Sequence, residues 1–383
     1  MKTKNNMGVF MAVGVAMVSA TINSGWAASI TDLTPQGFTT SFATGINGSG
    51  QAVGYANGTG THAFLYSNGT SQDLGLATGS GTSQAVAINE AGTVLGFSTT
   101  PRTGGPGNTY SGWTYANGTF SDVATPTGRG QADVNVPLAI NNSGDVAGYY
   151  AVGVESHYVS AGGTARELTG LAFAPVSINE GGVVAATAGY SAGGSSGYHA
   201  YLFFSGGGSR DLGTLGGADS VAQAINDSGQ VVGWADTNAN GTPSGHPFLY
   251  SGGAMRDLGT LGSGFGTAEA ISPNGLVVGG SRDANNVLQA FLWYQNGVIT
   301  DLNTFLPANS GWQLTEATGI NNAGQIVGNG TFGGQQHAFL LDLNGQSAAA
   351  PEPGSWTLGI AAMALMQGGR RLRSLRKQAG QNG

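Results

Sequence analysis

A phrase of about forty-five residues recurs seven times in this chain, and a fixed period in that range belongs to solenoids, propellers or arrays. Its clearest copy opens at Ala224-Ile225-Asn226 and runs through Gly229, Val231, Val232 and Gly233. It reaches His246-Pro247-Phe248-Leu249-Tyr250 and closes on Asp257-Leu258-Gly259-Thr260-Leu261. The turn asparagine, or its counterpart, falls at Asn47, Asn89, Asn141, Asn179, Asn226, Ser272 and Asn321.

Each unit holds four short apolar runs, which in the clearest copy are Val221 to Ile225, Val231 to Ala235, Pro247 to Tyr250 and Met255 to Leu258. Runs of this length bounded by Gly, Asn, Asp and Ser read as strands. Asn226 to Gly229 joins the first two, because asparagine bonds its own backbone and glycine accepts a positive φ. Asn68-Gly69, Asn117-Gly118 and Asn296-Gly297 turn the third strand into the fourth, a strong hairpin signal. Four antiparallel strands in a meander make one blade of a propeller. The closing acidic-aliphatic pair occurs seven times: Asp32-Leu33, Asp73-Leu74, Asp122-Val123, Glu167-Leu168, Asp211-Leu212, Asp257-Leu258 and Asp301-Leu302. So does the third-strand aromatic: Phe64, Trp113, Tyr158, Tyr201, Phe248, Phe291 and Phe339. The chain begins on a fourth-strand motif and ends after a third-strand one. The sequence therefore predicts an all-β fold, a seven-bladed β-propeller of four-stranded antiparallel blades in which an N-terminal strand completes the last blade. Closure of this kind removes exposed edge strands. The alternative, a β-solenoid, fits poorly with asparagine spacings of 38 to 52 residues.

Charged residues make up only 9% of the chain, while glycine supplies 69 residues and hydrophobic residues 40%, too many for a disordered polymer. The stretch 28–350 carries six arginines, no lysine and nineteen acidic residues, a net charge of −13. Such a body is unsuited to nucleic acid, whose phosphates need clustered cations. There is no cysteine, which excludes disulfides, thiolate metal sites and a cysteine nucleophile.

The two ends read as addresses. Residues 1–27 have the basic start, apolar run and small residues of a secretory signal peptide, with cleavage after Ala27. The repeats fill 28–345, a linker spans 346–353, and 354–383 hold an apolar segment and a basic tail. The order Pro351-Glu352-Pro353, then Thr357 to Met366, then Arg370, Arg371 and Arg373 resembles the PEP-CTERM sorting signal of Gram-negative bacteria. That resemblance implies handling by an exosortase in the inner membrane of an exopolysaccharide-making organism. The apolar run is about half of what a stable span needs, which suits transient anchoring.

The unit also resembles the HAF-repeat family of extracellular repeat proteins, named for a His-Ala-Phe core. His62-Ala63-Phe64 and His337-Ala338-Phe339 match it outright; His199-Ala200-Tyr201 and His246-Pro247-Phe248 match with one change. The resemblance implies a fold and a location and little mechanism.

Residues that could carry chemistry are mostly absorbed by the repeat. Of the five histidines, His62, His199, His246 and His337 share one register and His157 is displaced by one; ligands spread around a ring cannot reach one ion. The fourth-strand acids are equally regular. Glu155, Glu180, Glu269 and Glu316 are off-pattern, and are the candidates if an acid–base carboxylate pair exists. Asp236, Asn238 and Asn240 open a D-x-N-x-N-G calcium-type loop, but Pro247 stands where an EF-hand needs glutamate, leaving at most a looser Ca²⁺ site with Asp283 and Asn285 as a counterpart. No other cofactor and no catalytic residue is predicted.

The functional expectation is an exported, non-enzymatic binding or structural module of the cell surface or extracellular matrix. Its expected partners are the exosortase and an exopolysaccharide or another surface protein, with no nucleic acid. The alternative is an extracellular polysaccharide hydrolase or lyase working at one end of the propeller channel. Off-pattern carboxylates gathered at the channel would favour that alternative.

Overall fold

The computed structural model describes residues 28–344, apart from 78–80, 103–106, 127–132, 153, 170–173, 193–194, 238–244 and 295–296. The signal peptide with Ala27, Pro351 to Pro353 and the arginines Arg370, Arg371 and Arg373 lie outside the described residues, as do Asn238 and Asn240. Among those described, the regular elements are all strands but for one 3₁₀ turn, Leu302–Phe305, and no helix is long and apolar enough to cross a membrane.

Each repeat folds into a four-stranded antiparallel meander. The clearest one runs Ser220–Ile225, Val231–Asp236, Gly245–Ser251 and Ala254–Asp257, in that spatial order. Counting along the chain, unit one spans 40–75, two 82–122, three 134–168, four 177–211, five 220–257, six 262–301 and seven 312–342. The fourth strand of unit seven is Ser29–Asp32 from the other end of the chain, paired antiparallel with Gln335–Asp342. The hairpins follow the turn chemistry: Asn68-Gly69 and Asn117-Gly118 both take positive φ at both residues, as a type I′ turn demands.

Among the described residues, hydrogen-bonded sheets number six. Units two and three fuse into one eight-stranded sheet through a single parallel bridge, Tyr110 to Val134. The long third strand of unit two, Asn108–Ala116, reaches Asp133, whose carbonyl accepts from Tyr110 N–H and whose carboxylate pairs with Arg102.

One cross-strand pair explains much of the motif. In six of the seven units the glycine of V-x-G faces the third-strand aromatic: Gly54 and Phe64, Gly96 and Trp113, Gly148 and Tyr158, Gly233 and Phe248, Gly279 and Phe291, Gly328 and Phe339. The ring lies where a side chain would be. A Cβ on Gly96 would fall 2.3 Å from Trp113 Cη2, and one on Gly54 would fall 1.9 Å from the Phe42 carbonyl oxygen. Unit four is the informative exception. Ala186 replaces the glycine opposite Tyr201, and Tyr201 alone of the seven aromatics is only half-buried, its hydroxyl donating to Asp211.

The same glycine admits a bulge in the first strand. The register slips at the same place in six units, leaving Thr44, Val86, Leu138, Gln223, Glu269 and Thr318 as the inserted residues. Bulges re-aim side chains, and three of these residues line the cavity described below.

The core is divided between neighbours. Seven apolar clusters each lie between consecutive units; Val53, Ala63 and Leu74 of unit one, for example, meet Ala85, Val94 and Trp113 of unit two. The seventh cluster joins Leu33, Val327, Ala338 and Leu340 of the last unit to Ala43, Ala52, Ala56 and Phe64 of the first. Ser41 accepts from Ala338 N–H across that boundary, as Ser83 accepts from Ala63 N–H and Ser220 from Ala200 N–H elsewhere.

Two predictions follow from this packing. Deleting Ser29–Pro35 removes the fully buried Leu33, worth about 2 kcal/mol, and several ladder bonds worth about 1 kcal/mol each. A loss on the order of 5 kcal/mol is expected in chemical denaturation, and an unchanged unfolding curve would show that the strand does not hold the ends together. Gly96→Ala should cost about 3 kcal/mol by overpacking against Trp113, while Ala186→Gly, with no ring to admit, should cost no more than about 1 kcal/mol of backbone entropy.

Candidate functional site

The polar residues that recur from unit to unit are engaged in holding it. His62, His199, His246 and His337 each place Nδ1 against a fourth-strand carboxylate, that of Asp73, Asp211, Asp257 and Asp32 respectively, at 2.7–3.1 Å. The same aspartates accept from the backbone two residues on, at Gly75, Gly213, Gly259 and Thr34. In unit six Gln289 takes the histidine's place and hydrogen-bonds Asn303, which also bridges Asp301 and Leu314. His157 differs: it lies 3.4 Å from Glu155, and burial holds its imidazole below the ordinary value of 6.5.

The turn asparagines form a belt. Asn47 Oδ1 accepts from Ser49 and Gln51 N–H, closing its own turn. Its Nδ2 donates to the carbonyl of Asn89 in the next unit at 3.1 Å. The link repeats from Asn89 to Asn141, Asn141 to Asn179, Asn179 to Asn226 and Asn226 to Ser272, and Asn321 donates to Asn47 at 3.0 Å. Ser272 is too short for this; its hydroxyl stays within its own turn, on Asn274 and Leu276. Alongside runs a second set of bonds. Glu90 caps Gly48 N–H, Asn142 caps Glu90, Glu180 caps Asn142 and Asp227 caps Glu180. Glu180, off-pattern by residue type, is thus part of the scaffold.

The departure that matters lies at the residue after the V-x-G glycine. It is Tyr55, Phe97, Tyr149 and Trp234 in four units, Thr187 in a fifth, but Gly280 in unit six and Asn329 in unit seven. Lost bulk there leaves a cavity of about 390 Å³, lined by Phe42, Ala43, Thr44 and Tyr55 of unit one, Glu269 of unit six, and Glu316, Thr318 and Asn329 of unit seven. Glu316 is the cross-strand partner of Asn329 and its stem lies by Gly280, where a Cβ would be 3.8 Å from Glu316 Cγ. Glu269 is the bulge residue of unit six. Phe42 and Tyr55 stack at 5.0 Å and 20° on one side. The buried Asn329 accepts from Ala43 N–H through Oδ1, which orients its amide. The hydroxyls of Thr44 and Thr318 donate to the carbonyls of Val53, Ala85 and Ala43, tying the units together at the rim.

Burial, and then the charge of Glu316, push the Glu269 carboxyl from its ordinary 4.5 up to about 7. Burial likewise raises the Tyr55 phenol. The cavity therefore presents a carboxyl that holds its proton close to neutrality beside a second carboxylate, an aromatic wall and an oriented amide.

Other candidates fall elsewhere. Asp236 is half-buried, and its carboxyl is raised by burial and by Asp219. Asp283 is lowered by the bonds its carboxylate accepts from Val287, Gln289 and Asn285, so it is engaged in its own turn. Among the described residues no three acidic or histidine side chains are grouped to hold a metal ion. Trp113 and Trp293 belong to the core; Trp312 stacks on Phe332, which is exposed. Sequence reasoning named Glu269 and Glu316 without pairing them, and missed Phe42, Tyr55 and Asn329. The signal was present in the run Tyr, Phe, Tyr, Thr, Trp, Gly, Asn after the glycine.

Residues 203–351, less than half of the chain, match a family described as "Protein of unknown function (DUF3466)". No curated protein matches the chain. Among solved structures it is similar to the β-propeller domain of the Trilobed protease from Pyrococcus furiosus, described as having an open velcro topology. The TM-score is 0.54 at 8% identity, over 84% of this chain and 98% of that one. It is also similar to TolB from Acinetobacter baumannii, with a TM-score of 0.40 at 15% identity over 73% and 75% of the two chains. At this identity the first likeness is one of fold: the chain is all-β and propeller-like.

The raised Glu269 carboxyl has a consequence for stability. The folded state binds this proton more tightly than the unfolded chain does. Its contribution is fully present below about pH 4.5 and is lost as pH rises to about 7, by about 3 kcal/mol in all. Glu269→Gln should therefore match wild type in acid and exceed it in stability above neutrality; denaturation at both pH values checks this, and equal curves at alkaline pH would contradict it.

Proposed function

We propose that this chain is an exported, non-enzymatic repeat protein that serves as a binding or structural module at the cell surface or in the extracellular matrix. In this reading the units form a seven-bladed ring. It is closed by Ser29–Asp32 on the last unit and by the amide of Asn321 on Asn47. The segment ending at Ala27 directs export. The Pro-Glu-Pro, apolar and arginine order of 351–373 supports sorting by an exosortase with transient inner-membrane anchoring. Exopolysaccharide or another surface protein is the partner.

One observation carries the reading. The histidines, aspartates and asparagines that recur around the chain are engaged in the units' own hydrogen bonds, and the repetition is broken at the cavity between units six, seven and one, where two off-pattern carboxyl groups meet. A concave site with an aromatic wall and a few placed polar groups on a regular frame is what a ligand-binding module presents.

A specific observation favours a second reading, a polysaccharide hydrolase or lyase. Glu269 and Glu316, both off-pattern, line the same cavity, and a carboxyl with a raised pKa beside a carboxylate is the pairing glycoside hydrolysis employs. Incubating the purified protein with a panel of bacterial and plant glycans, while measuring both retention and new reducing ends, separates the two. Binding without cleavage is expected. Cleavage abolished by Glu269→Gln or Glu316→Gln would replace the module with the enzyme.

A further inference from the structure

The cavity between units six, seven and one contains two carboxylates, and its lining includes no lysine, arginine or histidine. Both are half-buried, and negative charges gathered in a recess without a counter-charge favour uptake of a proton or a cation. The rest of the wall says which cation. Thr44 and Thr318 turn their hydroxyl protons to backbone carbonyls, and Asn329 Oδ1 already accepts from Ala43. A hard dication, which takes six to eight oxygens, would find few free ones. The volume of about 390 Å³ lies in the range of small organic ligands, and a bare ion would leave most of it unfilled. The stacked Phe42 and Tyr55 supply an apolar face of the kind that packs on a sugar ring, and their π-clouds favour positive charge beside them. Asn329 Nδ2 and the Tyr55 hydroxyl add polar groups suited to ring hydroxyls.

We propose that this cavity binds the protonated amine of an amino sugar, with Glu269 and Glu316 as counter-charges and the Phe42–Tyr55 pair as the wall for the ring. The inference rests on the binding-module reading and gives it a ligand class. A neutral sugar would leave the proton on Glu269 as the pair's one compensation, and an acidic sugar would add a further negative charge. Binding of the amine displaces the proton held on Glu269, so uptake of the ligand near neutrality releases a proton into the medium.

The test is calorimetric titration of the purified chain with glucosamine and its oligomers, N-acetylglucosamine, glucose, glucuronic acid and calcium chloride. Glucosamine is expected to bind at least about tenfold more tightly than glucose or N-acetylglucosamine. Its binding enthalpy should shift with the ionisation enthalpy of the buffer, as proton release requires. Glu316→Gln should weaken it about tenfold or more, and Phe42→Ala several-fold, with unfolding curves confirming that each variant is folded. If a variant fails to fold, the buffer dependence of the wild-type protein still decides. Equal affinity for amine and neutral sugars, binding unchanged in the glutamine variants, or calcium displacing the sugar one for one would each overturn the ammonium assignment. Neutral glycans binding equally in wild type and variants would remove that assignment and leave the module standing. Failure of every glycan, amines included, would end both.

Discussion

The buried side-chain amide of the turn asparagine is the interaction on which the rest of this molecule depends. Each such group does two things at once. Its oxygen gathers the N–H groups of its own tight turn, and its nitrogen crosses to the turn of the next unit. An isolated four-stranded meander has two apolar faces and cannot bury either alone. The asparagine fixes the position of the next meander at the turn while the apolar clusters between units fill the space behind it. Because donor and acceptor are both buried, breaking one link leaves unpaired polar groups out of water, which is far costlier than the bond itself is stabilising. Ser272 marks the one place in the belt where the forward link from the side chain is absent, and nearby the Asn274 N–H donates instead to the side-chain Oδ1 of Asn322.

Glycine opposite an aromatic ring is the second constraint, and it turns packing into function. With no Cβ on the second strand, the ring of the third can lie flat across it and the first strand can bulge against it. The bulge delivers one extra residue per unit. In most units that residue is small, apolar or neutral; in unit six it is Glu269. A structural irregularity common to the units thus becomes the means by which one of them carries a carboxylate into the cavity.

The histidine–aspartate pairs show why residue type alone misleads. A histidine Nδ1 on a carboxylate is the orientation found in catalytic and metal sites. Here four of them sit at one register, each bonded within its own unit and each aspartate also tying down the following backbone. Repetition identifies them as framework. Glu269 and Glu316 differ because no other unit has a carboxylate at either position and because burial has moved a proton equilibrium towards neutrality.

Much of this was legible in the sequence, because short-range chemistry was repeated often enough to be read. The strand runs, the Asn-Gly hairpins, the asparagine turns and the fourth strand displaced to Ser29–Asp32 follow from period, turn residues and alternation. What sequence could not supply was distance. Glu269 and Glu316 are far apart in the chain and belong to different strands of different units, and nothing local declares that they share a space. Nor could it declare the single bridge from Tyr110 to Val134 that fuses two units into one sheet. The sequence by itself determined the repeated unit, since the hydrogen bonds of every unit but the last, which borrows Ser29–Asp32, close within about forty-five residues. Only the tertiary structure decided where repetition gives way to a cavity, because a cavity is made by what three units together fail to fill.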